Sequence, residues 1–207
     1  WLHNILPAEV VAELKQSIAS QDKSYDMATV LFADIKNFTG AAEKMSTQQL
    51  ETEMDYYFKN FDEIISKYKI EKIKTVGDAY LCMGGLPKAD VDNAYYVICA
   101  ALEIQEFIKQ IKTEREKSGS IYFEIRIGIH TGPLIAGIVG LRKFGYDIWG
   151  DTVNMAARME QHGDKGKINI SAATYELVKS KFSCTHRGKI EGQNKGQVDM
   201  YFVDGIA

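Results

Sequence analysis

The sequence predicts a single α/β domain in which helices cover one sheet and the core elements follow the order β-α-β-β-α-β. Three observations favour this fold class. "VLFADI" has the pattern of a buried strand, two long segments carry helical stripes of apolar residues, and a Gly-Asp turn joins two short strands between those helices. A chain of 207 residues with 45% hydrophobic residues is long enough to bury the core of one such domain.

The composition excludes several classes of protein. Charged residues make up 26% of the chain and the net charge is -3, which gives no electrostatic footprint for nucleic acid or an anionic membrane, so we predict no nucleic-acid partner. The three cysteines form no CxxC pair and indicate reduced thiols in a cytosolic protein. No apolar run approaches the roughly 20 residues that span a bilayer, and no signal peptide is visible.

Residues 1–24 form a predicted linker or signal-transmission segment, and residues 25–207 form the predicted domain. Apolar residues recur with helical spacing in "WLHNILPAEVVAELKQ", where Pro7 is well placed to open a helix. This leader could pair with its copy as a short coiled coil, or pack as a helix on its own domain. The chain begins with Trp1 and not with Met, so we expect a fragment, and a membrane or sensor segment could lie upstream.

The first half of the domain supplies most of the core pattern. "MATVLFADI" predicts a buried strand, and a helix follows with Thr47 near its start and an apolar stripe from Leu50 to Tyr68. "IEKIKTVGDAYLCMGGLP" predicts two strands joined by a tight turn at Gly77 and Asp78. A helix from about Asn93 to Lys117 comes next.

The second half completes the core and adds elements to it. "IYFEIRIGIHTG" alternates like a strand, and "PLIAGIVG" reads as its continuation after a Gly-Pro turn. "GDTVNMAARMEQHG" predicts a short helix closed by Gly163. Strand "KINIS", helix "AATYELVKS" and strands near 182–190 and 198–204 follow. The sum is an α/β sandwich with a ferredoxin-like β-α-β-β-α-β core and additional strands and helices.

Asp34 and Asp78 are the first candidate site residues. Asp34 follows an apolar strand and Asp78 lies in the hairpin turn, and in a β-α-β-β arrangement that strand lies beside the hairpin, so the two carboxylates can meet at one edge. Two neighbouring aspartates repel unless a cation lies between them, and Mg²⁺ prefers one or two carboxylates plus substrate phosphates. We expect the turn "IKNFTG" to open a helix whose N–H groups cradle phosphates. A helix cap and an ordinary turn residue are the plain alternatives.

Four stretches resemble the catalytic domain of class III nucleotidyl cyclases: "FADIKNFT", "KIKTVGDAYLCMGGLP", "RIGIHTGPLIAGIVGLRKFGYDIWGDTVNMAARME" and "KGQVDMYFV". They occur in the family's order between Met27 and Val203. The resemblance implies the class III nucleotidyl cyclase fold and formation of a 3′,5′-cyclic nucleotide and pyrophosphate from a nucleoside triphosphate. It further implies a bacterial-type, head-to-tail homodimer with two shared active sites, a cytoplasmic catalytic domain, and an upstream regulatory domain in the full-length protein.

The resemblance also implies roles for individual residues. Asp34 and Asp78, with the Ile35 carbonyl, match the positions that hold two Mg²⁺ or Mn²⁺ ions per site. Asn154 and Arg158 match the transition-state residues, and their i, i+4 spacing on a helix places them on one face. In the family each site takes its metals from one protomer and the residues that match Lys74, Asp147, Asn154 and Arg158 from the other.

Lys74 and Asp147 match the positions that choose the base. Adenine presents an acceptor at N1 and a donor at its exocyclic amine, which a lysine donor and an aspartate acceptor complement, whereas guanine presents the opposite pattern. Guanylyl cyclases usually carry Glu and Cys at these positions, so the resemblance implies an adenylyl cyclase that uses ATP. A solvated lysine and an ordinary turn aspartate are the plain alternatives.

The remaining predicted site residues contact the triphosphate. Arg142 matches a phosphate-contacting position of some members. Before the last strand the family often has two lysines, the first of which contacts the phosphates; here Gln193 takes the first position and Lys195 the second, so either Lys195 reaches the phosphate or that contact is weakened. The set comprises Lys36, Asn37, Phe38, Thr39, Arg142 and Lys195. The rival functions are a guanylate cyclase, a catalytically silent cyclase-like module for regulation or dimerisation, and a ferredoxin-like RNA-binding domain, which the acidic charge balance disfavours.

Overall fold

The computed structural model describes residues 7–10, 22–38, 42–139, 145–192 and 196–207. The predictions for Thr39, Arg142, Gln193 and Lys195 fall outside these ranges. Across the described residues, no helix combines the length and the apolar character that crossing a membrane requires.

Within the described ranges, one sheet of eight strands organises the fold. Its order is β2-β3-β1-β4-β6-β8-β7, and β5 pairs with β4 outside this path. The strands are β1 (Lys23–Phe38), β2 (Ile70–Val76), β3 (Ala79–Gly84), β4 (Phe123–Val139), β5 (Gly145–Trp149), β6 (Ile168–Ser171), β7 (Phe182–Gly192) and β8 (Gly196–Ile206).

The first four strands confirm the ferredoxin-like core. They lie in the order β2-β3-β1-β4 and every neighbouring pair is antiparallel. The second half adds β6 parallel to β4, then β8 and β7 as an antiparallel pair. The predicted α/β sandwich with additional strands is therefore observed.

The main helices are α1 (Thr47–Ser66), α2 (Asn93–Ser118), α3 (Asp151–Gln161) and α4 (Ala172–Val178). Ser46 begins α1 through a capping box, in which its hydroxyl accepts from the Gln49 amide and the Gln49 side chain accepts from the Ser46 amide. Gly119 ends α2 in the left-handed conformation, which glycine adopts at little cost.

The two faces of the sheet carry different helices. Leu31 and Ala33 of β1 lie in the core beneath α1 and α2, while the alternate residue Val30 belongs to a second core cluster with Ala156 of α3. Helix α3 lies so close to β4 that a Cβ at Gly128 would overlap the backbone of Glu160, and only glycine leaves room for this contact. This close approach fixes α3 on the face opposite α1 and α2.

Strand β4 corrects one sequence prediction. It runs unbroken from Phe123 to Val139, so the expected Gly-Pro turn at Gly132 and Pro133 is absent from it. The register of the neighbouring β1 shifts between Tyr25 and Ala28, opposite this stretch, so Pro133 lies at a bulge. A proline without an N–H is tolerated there because no ladder bond is lost.

Strand β1 corrects a second prediction. Residues 35–38 do not open a helix, because β1 continues to Phe38 and pairs with β4 at Lys36 and Phe38. The end of the stretch "IKNFTG" lies outside the described residues, which resume with a short 3-10 helix at Ala42–Lys44 before the long helix that begins at Thr47. The phosphate cradle expected there stays a prediction.

The leader is described only at residues 7–10. Residues 8–10 are helical, and Val10 is 4% exposed within the second core cluster. This part of the leader therefore packs on its own domain, one of the two arrangements expected from the sequence. Strand β1 begins at Lys23, and the boundary between a segment 1–24 and a domain 25–207 stays a prediction.

Candidate active site

Strands β1 and β3 bring Asp34 and Asp78 together. Asp34 is the last residue of β1 that pairs with β3, opposite Ala79, and the Ile35 amide donates to the Asp78 carbonyl at 3.0 Å. Asp78 lies in the turn between β2 and β3, where the preceding Gly77 has a φ of 60°. The proximity expected from the strand order is observed.

The two carboxylate oxygens of Asp34 have different surroundings. The Lys36 Nζ atom lies 3.0 Å from Oδ2. Oδ1 is buried and accepts a hydrogen bond from no donor in the described part of the chain. Lys36, expected on the triphosphate, therefore pairs with Asp34 here, and Oδ1 is an acceptor that a cation would satisfy.

Burial and charge make this carboxylate pair unfavourable on its own. Desolvation is the largest effect that raises the pKa of Asp78, and the adjacent Asp34 carboxylate raises it further. The Lys36 ammonium offsets part of the repulsion between them, and a bound proton or metal cation would offset the rest.

A third carboxyl, that of Glu160 on α3, was not anticipated from the sequence. Glu160 is 6% exposed, and the Arg126 Nε and Nη2 atoms lie 2.9 and 2.8 Å from its Oε2. Burial and the neighbouring Asp34 carboxyl raise the pKa of Glu160 to about 7, although Arg126 opposes the shift. One signal was available: Glu160 follows Thr152 and Ala156 at i, i+4 spacing on the buried face of α3.

The donor set fits a metal site built on two aspartates. Among the described residues, no group of three or more His, Cys, Asp or Glu side chains is arranged to hold a metal ion. Asp34 and Asp78 alone still match Mg²⁺, which takes one or two carboxylates and completes its shell with water and phosphate. The buried Oδ1 of Asp34 without a donor is the observation that favours a cation there.

Lys74 and Asp147 form a direct ion pair. The Lys74 Nζ atom lies 2.9 Å from Asp147 Oδ2, and this ion pair connects β2 to β5. The other oxygen, Oδ1, accepts from the Ile148 amide at 2.8 Å, so the carboxylate is oriented. Both side chains are accessible, with exposures of 45% for Lys74 and 20% for Asp147. The pair presents a donor and an acceptor side by side.

Asn154 and Arg158 lie on α3 apart from the aspartates. Asn154 is exposed, and the Arg158 guanidinium donates to the Glu191 carbonyl of β7, while its Nε is buried and has no acceptor among the described residues. Side chains two positions apart on an α-helix point in directions that differ by about 200°. Arg158 therefore leaves α3 on the side away from Glu160, which faces Asp34. The structure therefore brings Asp34 and Asp78 together, and Lys74 and Asp147 together, but does not place Arg158 against the aspartates of its own chain.

Two cavities elsewhere do not include these residues. One, of about 460 Å³, lies between α2 and the start of β6, and Gln105, Lys112 and Lys167 are among the residues that line it. Another of about 570 Å³ lies beside the leader and includes Glu9, Glu71 and Asn93. Neither contains any of the predicted site residues.

Comparison with known proteins was made on sequence and on structure. Residues 20–205 match the family model of the adenylate and guanylate cyclase catalytic domain. An adenylate cyclase of Mycobacterium tuberculosis is 36% identical over 206 residues, which cover 99% of this chain and 45% of that protein. The chain thus spans about half the length of this curated relative.

Two solved structures have the same fold. The adenylyl cyclase CyaB from P. aeruginosa superposes with a TM-score of 0.81 at 28% identity, over 89% of this chain and 96% of that chain. The guanylate cyclase domain of RhGC from Catenaria anguillulae, in complex with GTP, superposes with a TM-score of 0.81 at 35% identity, over 89% of this chain and 100% of that chain. Similarity alone therefore connects the chain equally to adenylate and to guanylate cyclases.

Proposed function

The chain belongs to the adenylate and guanylate cyclase catalytic domain family, and we propose that it converts ATP to 3′,5′-cyclic AMP and pyrophosphate at two sites shared by a head-to-tail homodimer. Intracellular cyclic-nucleotide signalling is the proposed role. An upstream regulatory segment, which could anchor the full-length protein to a membrane, and a cytoplasmic location for the catalytic domain belong to the same proposal.

The ion pair of Lys74 with Asp147 is the observation that supports ATP. The ammonium group can donate to adenine N1, and the Asp147 carboxylate can accept from the exocyclic amine. Guanine would place a donor against the lysine and an acceptor against the aspartate. A base that leaves such groups unpaired is rejected strongly, because desolvated polar groups without partners are costly.

Asp34, Asp78 and the Ile35 carbonyl would hold the divalent ions, Mg²⁺ or Mn²⁺. When bound, such ions lower the pKa of the attacking ribose 3′-hydroxyl and neutralise the triphosphate charge. Lys36, which pairs with Asp34, is proposed to turn towards a bound phosphate. Asn37, Phe38, Thr39, Arg142 and Lys195 are proposed as further phosphate contacts.

Arg158 and Asn154 are proposed to act in the partner's site. Arg158 would stabilise the charge that develops at the α-phosphate, and Asn154 would orient the ribose. Their position on α3, turned away from Asp34 and Asp78, supports this division because a single chain does not assemble all four side chains at one point. A two-fold axis would build two complete sites from two identical chains.

A guanylate cyclase is the second candidate, favoured by the similarity to the Catenaria anguillulae domain in complex with GTP. A catalytically silent module for regulation or dimerisation is the third, and it is disfavoured because both aspartates and the Asn154 and Arg158 pair are present.

Product formation distinguishes these candidates. The chain is incubated with ATP or GTP and Mn²⁺ or Mg²⁺ over a series of protein concentrations, and cyclic AMP and cyclic GMP are quantified. We expect cyclic AMP from ATP, with specific activity that rises with protein concentration because only the dimer is active. Preferential cyclic GMP formation would replace the proposal by the second candidate, and absence of either product at all concentrations would favour the third.

A further inference from the structure

Two residues of β7 contact the end of α3. The Glu191 carbonyl accepts from Arg158, and the Arg187 guanidinium donates to the carbonyl of His162, the residue that follows the helix. We propose that Arg187 is a positioning residue for Arg158, because it fixes the helix end from which Arg158 reaches the partner's site. The inference rests on the role proposed for Arg158 above and adds a residue outside the predicted site.

The end of α3 has carbonyl groups that the helix itself does not satisfy, as at the C-terminus of any α-helix. The Met159 carbonyl accepts from Asn169 Nδ2 at 2.9 Å, and the His162 carbonyl accepts from Arg187 Nη1 at 2.7 Å. The same Nη1 atom donates to Asn169 Oδ1 at 3.1 Å, so the two side chains form one unit. Asn169 is fully buried on β6. Side chains from β6 and β7 therefore cap the helix together.

The direction of the Arg187 side chain follows from an irregularity in β7. Residues 186 and 188 lie opposite the consecutive residues 201 and 200 of β8, so Arg187 is an extra residue in the ladder. Gly188 has a φ of 97°, which glycine adopts without the steric cost of a Cβ. A bulge of this kind turns a side chain out of the regular alternation of the strand. In β7 the bulge directs Arg187 towards the end of α3.

The Arg187 guanidinium is held in one orientation by its surroundings. It lies 3.8 Å from the centroid of the Phe202 ring on β8, a distance at which a cation stacks on an aromatic face. Its positive charge also lies at the C-terminus of α3, where the helix dipole favours a cation. The ring, the two acceptors and the dipole together fix the end of α3 relative to the sheet.

Arg158 depends directly on this end of the helix. Its carbonyl accepts from the His162 amide at 3.0 Å, so Arg158 and the capped residue belong to the same turn. Without Arg187 this turn should open more often, because the His162 carbonyl loses its donor. Arg158 would then reach the α-phosphate for only part of the time, and a misplacement of about 1 Å can lower a rate about 10²-fold. Asn154 lies one turn earlier and should be affected less.

Hydrogen exchange tests the positioning without catalysis. Amide exchange of the nucleotide-free chain is followed for the wild type and for Arg187→Met, which removes the charge and the donors and keeps a long side chain. We expect the amides of residues 158–163 to exchange about tenfold faster in the variant, because the helix end opens locally. The control is Arg115→Met, which removes another arginine that donates to a backbone carbonyl, that of Ile121 at 2.7 Å, and should leave this exchange unchanged.

Steady-state kinetics separate positioning from a general loss of stability. Arg187→Met should lower kcat for ATP about tenfold and change KM less than about twofold, because Arg158 is proposed to act on the transition state and not on bound ATP. Arg187→Lys keeps the positive charge at the helix end and one donor group, so it should recover part of kcat. Arg115→Met, at a temperature at which all variants are folded, should leave kcat unchanged.

Hybrid dimers show whether Arg187 acts through Arg158. In a dimer of an Asp34→Ala chain with an Arg158→Ala chain, the one intact site takes Arg158 from the first chain. Arg187→Met in that first chain should lower kcat about tenfold, as in the homodimer. In the second chain, whose Arg158 is already absent, Arg187→Met should have no effect on kcat.

The outcomes separate the inference from the function on which it rests. Unchanged exchange at residues 158–163 overturns the inference, and so does a kcat that is unchanged or that falls equally from either chain of the hybrid. A hybrid that is inactive without any change at Arg187, although heterodimers are present, contradicts the role of Arg158 instead, and hydrogen exchange still tests whether Arg187 holds the helix. If Arg187→Met does not fold, Arg187→Lys replaces it with the same expected directions and smaller effects.

Discussion

Complementation between two inactive variants is the most direct test of the shared site. Asp34→Ala removes a metal-binding carboxylate, and Arg158→Ala removes the guanidinium proposed to act across the dimer. Each variant alone should lose activity by about 10²–10³ or more, as is typical when a transition-state or metal contact is removed. Neither change should prevent folding, since Asp34 repels Asp78 and pairs only with the half-exposed Lys36 among the described residues, and the hydrogen bond of Arg158 in that part of the chain is to the Glu191 carbonyl.

The recovery on mixing can be calculated from the symmetry. Equal amounts of two chains that associate at random give about half heterodimers, and each heterodimer keeps one of its two sites. The mixture should therefore reach about one quarter of wild-type activity, measured as cyclic AMP formed from ATP. A mixture of Asp34→Ala with Asp78→Ala is the matched control: both lesions lie on the metal-supplying side, so neither site of the hybrid is intact and no recovery is expected.

The result that would refute the reasoning is specific. Heterodimers are demonstrated by co-purification of two differently tagged chains. If the mixture of Asp34→Ala and Arg158→Ala contains heterodimers and still shows only the activity of the separate variants, then Asp34 and Arg158 of one chain act together in the same site. The assignment of α3 to the partner's site would then be wrong.

Three further predictions concern the base, the packing and the pH dependence. Lys74→Glu with Asp147→Cys should lower kcat/KM for ATP by about 10² or more and raise the use of GTP; an unchanged preference in a competition assay would exclude the pair as base readers. Gly128→Ala should lower the free energy of unfolding, measured in urea, by about 3 kcal/mol, because the added Cβ would overlap the backbone of α3. The control Gly145→Ala, which has open space around the added Cβ, should change this free energy by less than about 1 kcal/mol. Equal effects of the two substitutions would contradict the close approach of α3 to β4. Burial raises the pKa of Glu160 from 4.5 to about 7, so between these pH values the folded metal-free protein binds a proton that the unfolded chain does not. The free energy of unfolding should therefore fall by about 1–3 kcal/mol as the pH rises from 4.5 to 7. A Glu160→Gln variant with the same pH profile would contradict this.

The sequence predicted those features that depend on local pattern and strand order. The helical stripe from Leu50 to Tyr68 and the helix from Asn93 correspond to α1 and α2, since an apolar face of this length has few alternatives. The meeting of Asp34 with Asp78 followed from the β-α-β-β order, which places a hairpin beside the first strand. The roles of these residues stay predictions.

Features that depend on contacts between distant segments were not predictable in the same way. The Gly-Pro pair at 132–133 is a turn signal by itself, and β4 runs on through it beside a bulge in the neighbouring β1, which the local sequence does not reveal. Likewise, the strand after Asp34 continues because β4 offers a partner as far as Phe38. Glu160 could be placed on a buried helical face, but its partner Arg126 becomes visible only once α3 lies on Gly128.

The base-reading role proposed for the ion pair of Lys74 with Asp147 has a consequence for how substrate preference would change during evolution. Because both side chains are accessible, the pair contributes only about 0–1 kcal/mol to folding, and either residue can be exchanged with little loss of stability. Asp147 is carried by β5, which lies outside the main strand order, so its exchange leaves the aspartate-bearing strands untouched. Substrate preference could therefore change from one purine nucleotide to the other by successive substitutions at these two positions, with each intermediate folded but less selective for the base. Such a separation of chemistry from base choice would explain why one scaffold serves both adenylate and guanylate cyclases among the relatives.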